Sequence, residues 1–356
     1  MDEKSVNNSR ALEAVATLYH AWLTGLILAV VTRKGDDAAE KFVFRLFRRQ
    51  HLAMFLPGLK KLGLEGEPAA VAAAKYHYFS NQLGGVKVEY WEESPRKAWI
   101  RYPPPRWIWK GTAICAVPGK VNRAILRGWH AHNGVTMGNL RLGFVCTKTT
   151  VDGQPGLEGY YLEYDHDLSE EERLVFIPGE GAPFIDPKTL PKLDADSWPE
   201  ERKQKANRNY AMEYIRSALP ELFALFGPAE ASYLGHLSAL QIGMQFKDEI
   251  SEMININGYT PKEFANLFMI LAEAQGDEVS LDESQQGIRI RQKGWQLMRD
   301  LPVLHESVFE CWNGLWEGLL AAHNPHLKWI IKQRLDQGDL CFEWLITSSE
   351  RNNSEI

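Results

Sequence analysis

The stretch ESPRKAWIR at residues 93–101 returns later in the chain as ESQQGIRIR at residues 283–291. In both copies Glu-Ser stands before a short segment that ends in Ile-Arg, a pattern typical of a turn followed by a β-strand. A match of this length carries weight only when other matches accompany it in the same order along the chain.

Three further matches accompany this one in the same order, and similar predicted structure lies between them. Together they indicate an internal duplication. The matched groups are Leu56-Pro57-Gly58-Leu59 with Leu219-Pro220-Glu221-Leu222; His77, Gln82 and Gly84 with His236, Gln241 and Gly243; and Trp129 and Glu163 with Trp312 and Glu343.

Each copy reads as a helical region followed by two strands, another helix and a second strand pair. Helices packed on a short antiparallel sheet predict the α+β fold class, here as two tandem repeats. The predicted divisions are a first repeat at residues 1–165 with an extra N-terminal helix, a Pro/Gly-rich linker at 166–200, a second repeat at 201–347 with a helical insertion at 250–274, and a polar tail at 348–356.

Turn residues define the predicted strand pairs. Asp152-Gly153-Gln154-Pro155-Gly156 and Asp336-Gln337-Gly338-Asp339 each separate two apolar segments, as expected for hairpins. Thr260 followed by Pro261 predicts the start of a helix that runs to about Ala274. The predicted strands are 86–90, 97–102, 142–149, 160–164, 287–291, 329–334 and 340–346.

The composition excludes several classes of protein. Of the 356 residues, 45% are hydrophobic and 24% are charged, which is ordinary for a folded globular chain. The formal net charge of -6 provides no basic face, so we expect no nucleic-acid partner. The 4 cysteines lie far apart without a C-x-x-C pair, which argues against structural zinc and a disulfide framework and is typical of a reducing cytosol.

The most apolar segment, residues 14–31, is interrupted by Thr17, His20 and Thr24. A membrane-spanning helix needs about 20 predominantly apolar residues, so this segment is better interpreted as a buried core helix. The first residues, Met1-Asp2-Glu3-Lys4, are not the basic start of a secretory signal. We expect a cytoplasmic protein with no membrane partner, and homodimer formation stays open.

The closing strand of each copy carries the segments GYYLEY at residues 159–164 and GDLCFEW at residues 338–344. These segments resemble the last strand of the L-2-amino-thiazoline-4-carboxylic acid hydrolase-like proteins and the related 4-vinyl reductase ligand-binding domains. The resemblance implies an α+β unit with a pocket for a small, partly apolar molecule, serving either hydrolytic chemistry or ligand sensing. The reductase-type domains often bind zinc through cysteines, and only Cys341 lies near such a place here. We therefore expect no metal and no cofactor.

The candidate catalytic residues are concentrated in the first copy. Residues two apart on a helix do not share a face, so His130 and His132 are expected to do different jobs, one of them as a general base near neutral pH. Glu163, beside aromatic residues, is the candidate acid. His77 is a further candidate, although its repetition as His236 favours a structural role such as a bond to a backbone carbonyl. The alternative for His130 and His132 is a helix end with one satisfied core histidine and one solvated histidine, and the alternative for Glu163 is a residue on the solvated face of its strand.

Aromatic and basic residues around these candidates could grip a substrate. Arg101 could hold a carboxylate through its guanidinium or form a salt bridge with a repeated Glu across the sheet. The candidate substrate-binding residues are Trp129, Tyr161, Tyr164, Arg101 and Trp107. Core packing of the aromatic residues is an equally good interpretation.

Two functions follow from these patterns. The first is a cofactor-independent enzyme, a hydrolase or lyase, that acts by acid/base catalysis on a small cyclic or aromatic substrate. The second is a non-catalytic, sensor-like protein that binds a small molecule. No output domain is evident in the sequence, and this favours the enzyme.

Overall fold

The computed structural model describes residues 3–301 and 305–348, and it contains α-helices and two β-sheets, as expected for the α+β class. The predicted polar tail after Ser348 lies outside the described residues. The chain divides into unit A, Ile27–Tyr210, and unit B, Met1–Leu26 together with Ala211–Ile356. The first part of helix α1 (Glu3–Lys34) therefore belongs with the second half of the chain, whereas the sequence assigned it to the first repeat.

Unit A is built on one sheet with the strand order β1-β2-β4-β3-β5. Its strands are β1 (Glu89–Ser94), β2 (Lys97–Tyr102), β3 (Leu142–Lys148), β4 (Leu157–Glu163) and β5 (Leu174–Phe176), and its helices are α2 (Asp36–Lys61), α3 (Ala69–Leu83), α4 (Gly119–Gly128) and α5 (Asn133–Thr136). Neighbouring strands are antiparallel except that β5 lies parallel to β3. Since β5 comes from the predicted linker at 166–200, that segment also contributes to the sheet.

The core of unit A lies between α3 and one face of this sheet. Ala70, Val71, Ala73 and Ala74 are fully buried and pack in one cluster with apolar residues of β2, β3 and β4. Small side chains on the inner face of α3 let the helix backbone approach the sheet closely. Burial of this apolar surface at about 25 cal/mol per Å² is the main stabilising contribution. The close approach also brings the polar residues of α3 near β4.

Unit B contains a second sheet with the order β6-β7-β9-β8. Its strands are β6 (Glu278–Ser284), β7 (Gly287–Lys293), β8 (Leu327–Gln333) and β9 (Phe342–Ser348). Its helices are α6 (Glu200–Met253), α7 (Pro261–Gln275) and α8 (Ser307–His323). Helix α6 begins before the unit boundary and is interrupted by a kink at Gly227, whose φ of 74° is not helical. Helix α1 contributes Tyr19, whose hydroxyl donates to Gln275 at 2.8 Å and accepts from the indole of Trp312 at 3.2 Å. These buried bonds attach the N-terminal helix to unit B.

The helix predicted from Thr260 and Pro261 is confirmed as α7. The Thr260 side chain accepts from the Glu263 backbone N–H, and the Glu263 carboxylate accepts from the Thr260 N–H, which forms a capping box. The helix ends before Gly276, whose positive φ of 103° favours glycine. Because α7 directly precedes β6 as α3 precedes β1, it takes the place of α3 in the order of elements. The predicted insertion at 250–274 covers the end of α6 and nearly all of α7.

The first four strands of the two sheets have the same order, but the register changes two of the predicted correspondences. Arg101 lies opposite Glu158, and Arg291 lies opposite Glu343, next to a bulge in both sheets. Glu158, rather than Glu163, thus occupies the position that corresponds to Glu343. His236 lies on α6, not on the helix that precedes the strand pair. The duplication itself stays a prediction.

One helix within the described residues, Asn7–Lys34, is long and apolar enough to span a membrane by length and composition. In the structure 67% of its apolar window is buried. A core helix passes the same test, so the helix carries no conclusion about a membrane.

Candidate functional site

Two of the predicted catalytic histidines meet in the interior of unit A. His77 projects from α3, and His130 comes from the short 3-10 helix His130–His132 between α4 and α5. Their rings stack with centroids 4.1 Å apart and an interplanar angle of 17°. The ring of Tyr161 on β4 lies parallel to both, at 5.7 Å from His77 and 6.1 Å from His130. The structure therefore brings together three of the predicted site residues.

Asn133 joins two of these rings by hydrogen bonds. Its fully buried amide Nδ2 donates to Nε2 of His77 at 3.0 Å and to the hydroxyl of Tyr161 at 2.9 Å. Since Nε2 of His77 accepts, the neutral ring carries its hydrogen on Nδ1. The next residue is Gly134, and a larger residue does not fit there because its Cβ would lie 2.5 Å from the carbonyl oxygen of Leu142. Thus the Asn-Gly pair fixes the turn against β3.

Sequence reasoning missed Asn133, although a signal was present. The Asn-Gly pair recurs as Asn313-Gly314 on α8. The Asn313 carbonyl accepts from the indoles of Trp329 and Trp344, each at 3.0 Å. In both units a buried asparagine therefore bonds aromatic side chains of the sheet.

Burial keeps the interior cluster neutral at pH 7. It lowers the pKa of His77 well below its usual value and lowers that of His130 to about 3, while the nearby Arg106 and His51 act on His130 in the same direction. Burial also raises the pKa of the Tyr161 phenol. A histidine with so low a pKa is a weak base, so His130 is better suited to hydrogen bonding than to general-base catalysis at neutral pH.

Several buried polar atoms of the cluster have no hydrogen-bond partner among the described residues. Both ring nitrogens of His130 and the indole Nε1 of Trp129 are buried without a hydrogen-bond partner among the described residues. Buried polar atoms are usually bonded to protein or to water. No group of three or more His, Cys, Asp or Glu side chains in the described part of the chain is arranged to hold a metal ion.

His51 on α2 is buried and contacts both this cluster and His132. Its ring stands edge-on to Trp129 at 5.6 Å and lies 6.3 Å from the ring of His132. Nη1 of Arg48 donates to Nδ1 of His51 at 2.7 Å, so Nε2 carries the hydrogen in the neutral ring. Burial, followed by the charge of Arg48, lowers the pKa of His51 to about 3.

His132 faces a different environment from His130, which agrees with the expectation that the two do different jobs. It lines a surface groove of about 420 Å³. Its Nδ1 lies 2.9 Å from the backbone carbonyl of Arg127, which can only accept, so neutral His132 keeps its lone pair on Nε2. Burial, followed by the charge of Arg48, lowers the pKa of His132. The groove is lined by Phe44, Arg127, Ala131, His132, Glu170, Glu171, Arg173, Leu174 and Phe176.

The predicted acid lies apart from both histidine environments. Glu163 forms an ion pair with Arg141 at 2.6 Å, and its backbone carbonyl accepts two bonds from Arg96. It does not line the groove. This carboxylate is therefore engaged in an ion pair between the ends of neighbouring strands.

The remaining predicted residues are distributed over unit A. Arg101 pairs with Glu89 and, at 3.5 Å, with buried Glu158, which is the cross-sheet salt bridge considered above. Tyr164 contacts the ring of His166 at 5.8 Å, and Trp107 begins a 3-10 helix, its side chain lying outside the described part. Trp129 contacts His77 at 6.1 Å and belongs to the interior cluster.

His236, the predicted structural histidine of the second copy, lies between two helices of unit B. Its Nδ1 is 3.2 Å from the carbonyl of Glu310, and its Nε2 is 3.3 Å from the carboxylate of Glu317. Both ring nitrogens are therefore occupied, which fits a structural role.

Comparison of the chain with protein-family models, with curated proteins and with solved structures finds no match.

Proposed function

We propose that unit A is a cofactor-independent acid/base enzyme, a hydrolase or lyase, that acts on a small cyclic or aromatic substrate in the groove at His132. One observation carries this proposal: a histidine whose tautomer is fixed by a backbone carbonyl shares a concave surface with charged and aromatic residues. Concave sites with a few polar groups are the usual location of small-molecule chemistry. The resemblance to hydrolase-like small-molecule domains belongs to the same proposal.

His132 is the proposed general base. With its Nδ1–H donated to the Arg127 carbonyl, the Nε2 lone pair is available to take a proton from substrate or water. Its lowered pKa keeps the ring unprotonated at pH 7, so activity should rise with pH through that pKa and be constant above neutrality. Phe44, whose ring lies 6.3 Å from His132, would contact the substrate ring.

Glu170, rather than Glu163, is the carboxylate that assists His132 in this proposal. Glu170 lines the groove, and its charge acts on His132, whereas Glu163 is engaged by Arg141 outside the groove. A carboxylate near a histidine base can orient a water for attack, and the imidazolium that forms on His132 can return the proton to the leaving group.

A panel of small aromatic esters, amides and cyclic amides tests this function. Loss of a true general base lowers turnover by about 10²–10⁴-fold, which we expect for His132→Ala on any compound that the protein converts. His166→Ala removes another exposed histidine of unit A and serves as the control. Unchanged turnover in His132→Ala, or no conversion of any compound by the wild-type chain, would contradict the proposal.

The second candidate is non-catalytic binding of a small polar molecule in the interior. The unpartnered nitrogens of His130 and Trp129 favour it, because an occupant could supply their missing bonds. If so, His130→Phe should lower the stability of the protein as purified. If His130 only packs, the same substitution should be neutral or stabilising.

A further inference from the structure

The groove at His132 contains one arginine, Arg173, that has no ion-pair partner among the described residues. Arg173 immediately precedes β5, and its Nε is buried without a hydrogen-bond acceptor among the described residues. The other guanidinium of the groove, that of Arg127, forms an ion pair with Glu40 at 2.5 Å. No ion pair joins Arg173 to any carboxylate in the described part of the chain. A partly buried guanidinium without a counter-ion favours an anionic ligand.

Two other features of the groove restrict the ligand. Phe44, Leu174 and Phe176 give it apolar surface that suits a ring. Glu170 and Glu171 are exposed carboxylates on the same groove, so they oppose a ligand with two negative charges more than a ligand with one. A single carboxylate also matches the planar fork of one guanidinium.

We infer that the groove binds a small aromatic monocarboxylate, with the carboxylate on the guanidinium of Arg173 and the ring against Phe44 and Phe176. This inference names the substrate class of the proposed acid/base site and rests on that function for its use in catalysis. The binding itself can be measured without turnover. In this arrangement the ligand carboxylate neutralises Arg173, while the Nε2 of His132 lies in the same groove for the reacting atom.

Benzoate and benzamide are suitable probes because they share one shape and differ in charge. We expect wild-type protein to bind benzoate at least about ten-fold more tightly than benzamide, the preference expected from a charge-assisted hydrogen bond. Phenylphosphonate, a dianion near pH 8, should bind more weakly than benzoate. Titrations followed by the His132 imidazole NMR signal report binding at this groove.

Three variants locate the preference. In Arg173→Gln, benzoate and benzamide should bind equally, whereas Arg173→Lys keeps the charge and should keep part of the preference. Arg141→Gln removes an exposed arginine outside the groove and should bind both probes like wild type. Equal affinity of the two probes for wild type, no binding of benzoate, tighter binding of phenylphosphonate, or a preference that survives Arg173→Gln would each overturn the inference. If Arg173→Gln does not fold, the relative affinities of the wild-type protein for benzoate, benzamide and phenylphosphonate still test the inference.

The His132→Ala variant separates this inference from the proposed function. It should retain the preference for benzoate, measured by calorimetry, because Arg173 is unchanged. A retained preference together with unchanged turnover would remove the catalytic proposal and leave the anion site. Loss of turnover in His132→Ala, without any preference of the protein for benzoate, would support the catalytic proposal and remove the anion site.

Discussion

Replacing Asn133 by alanine should destabilise unit A more than most single substitutions do. The change removes the donor to His77 at 3.0 Å and to Tyr161 at 2.9 Å. It leaves the ring nitrogen of His77 and the hydroxyl of Tyr161 buried without that partner. Because each of the two orphaned buried groups costs about 1–3 kcal/mol, we expect a loss of about 2–6 kcal/mol in the free energy of unfolding.

Tyr161→Phe provides the internal check on this magnitude. Alone it removes one hydrogen bond and should cost about 1 kcal/mol. Combined with Asn133→Ala it should cost less than the sum of the two, because the hydroxyl that Asn133→Ala orphans is then absent. Strictly additive losses would show that the two residues do not interact as their distance indicates.

Hydrogen exchange measured by mass spectrometry is the appropriate assay, since a chain with two units need not unfold in a single two-state step. Asn133→Ala should raise the exchange rates of amides in α3 and β4. The matched control, Asn313→Ala, removes the acceptor of Trp329 and Trp344 and should act first on α8, β8 and β9. Unchanged exchange in α3 and β4 would refute the assignment of Asn133 as the centre of the interior network.

Three further outcomes are expected. His77→Phe should cost about 1–3 kcal/mol at pH 7 because Asn133 loses an acceptor, whereas packing alone predicts that His130→Phe costs nothing; urea titrations of both variants check this. Burial lowers the pKa values of His51 and His130 in the folded state to about 3, below the unfolded value of 6.5, so the unfolded chain takes up protons first as the pH falls. The free energy of unfolding should therefore have its full value above pH 6.5 and be lower by about 2 kcal/mol per histidine at pH 5. His130→Phe should make this decrease smaller. Iodoacetamide at pH 7.5 should label exposed Cys115 alone, because burial raises the pKa of Cys146 and Cys311 to about 12 and also raises that of Cys341; rapid labelling of a second thiol would contradict this.

Local sequence signals predicted much of the fold. The strand at 97–102 is confirmed with its predicted bounds as β2, and the capping residues placed the start of α7 correctly. Strand β6 was missed because its pattern, EVSLDES, is mostly polar and exposed and resembles a loop. Strand β5 was missed because the many proline and glycine residues that follow it gave the whole segment the composition of a linker, and only the tertiary pairing with β3 makes it a strand.

The candidate site was predictable in its residue types but not in its geometry. The two-residue spacing predicted different environments for His130 and His132, and in the structure His130 is buried while His132 lines the groove, although the two lie on a short 3-10 helix rather than on the predicted longer helix. The partner of Glu163 could not be predicted, because Arg141 meets it only through the pairing of β3 with β4. Arg173 belongs to no sequence motif. It became a candidate only because its buried Nε has no hydrogen-bond acceptor among the described residues.

The difference between the two units favours unit A as the one that could bind a small polar molecule in its interior. Where α3 presents His77 to its sheet, α7 presents Phe268, whose ring lies 5.2 Å from Trp344 and 5.7 Å from Trp329. Asn313 has its carbonyl taken by the indoles of those two tryptophans and its amide by Glu317. Aromatic rings therefore fill this part of unit B, and the carbonyl of Asn313 accepts hydrogen bonds from two of them. In unit A the imidazoles of His77 and His130 stand where unit B has aromatic rings. Both ring nitrogens of His130 lack a hydrogen-bond partner among the described residues, an arrangement that packing alone does not require.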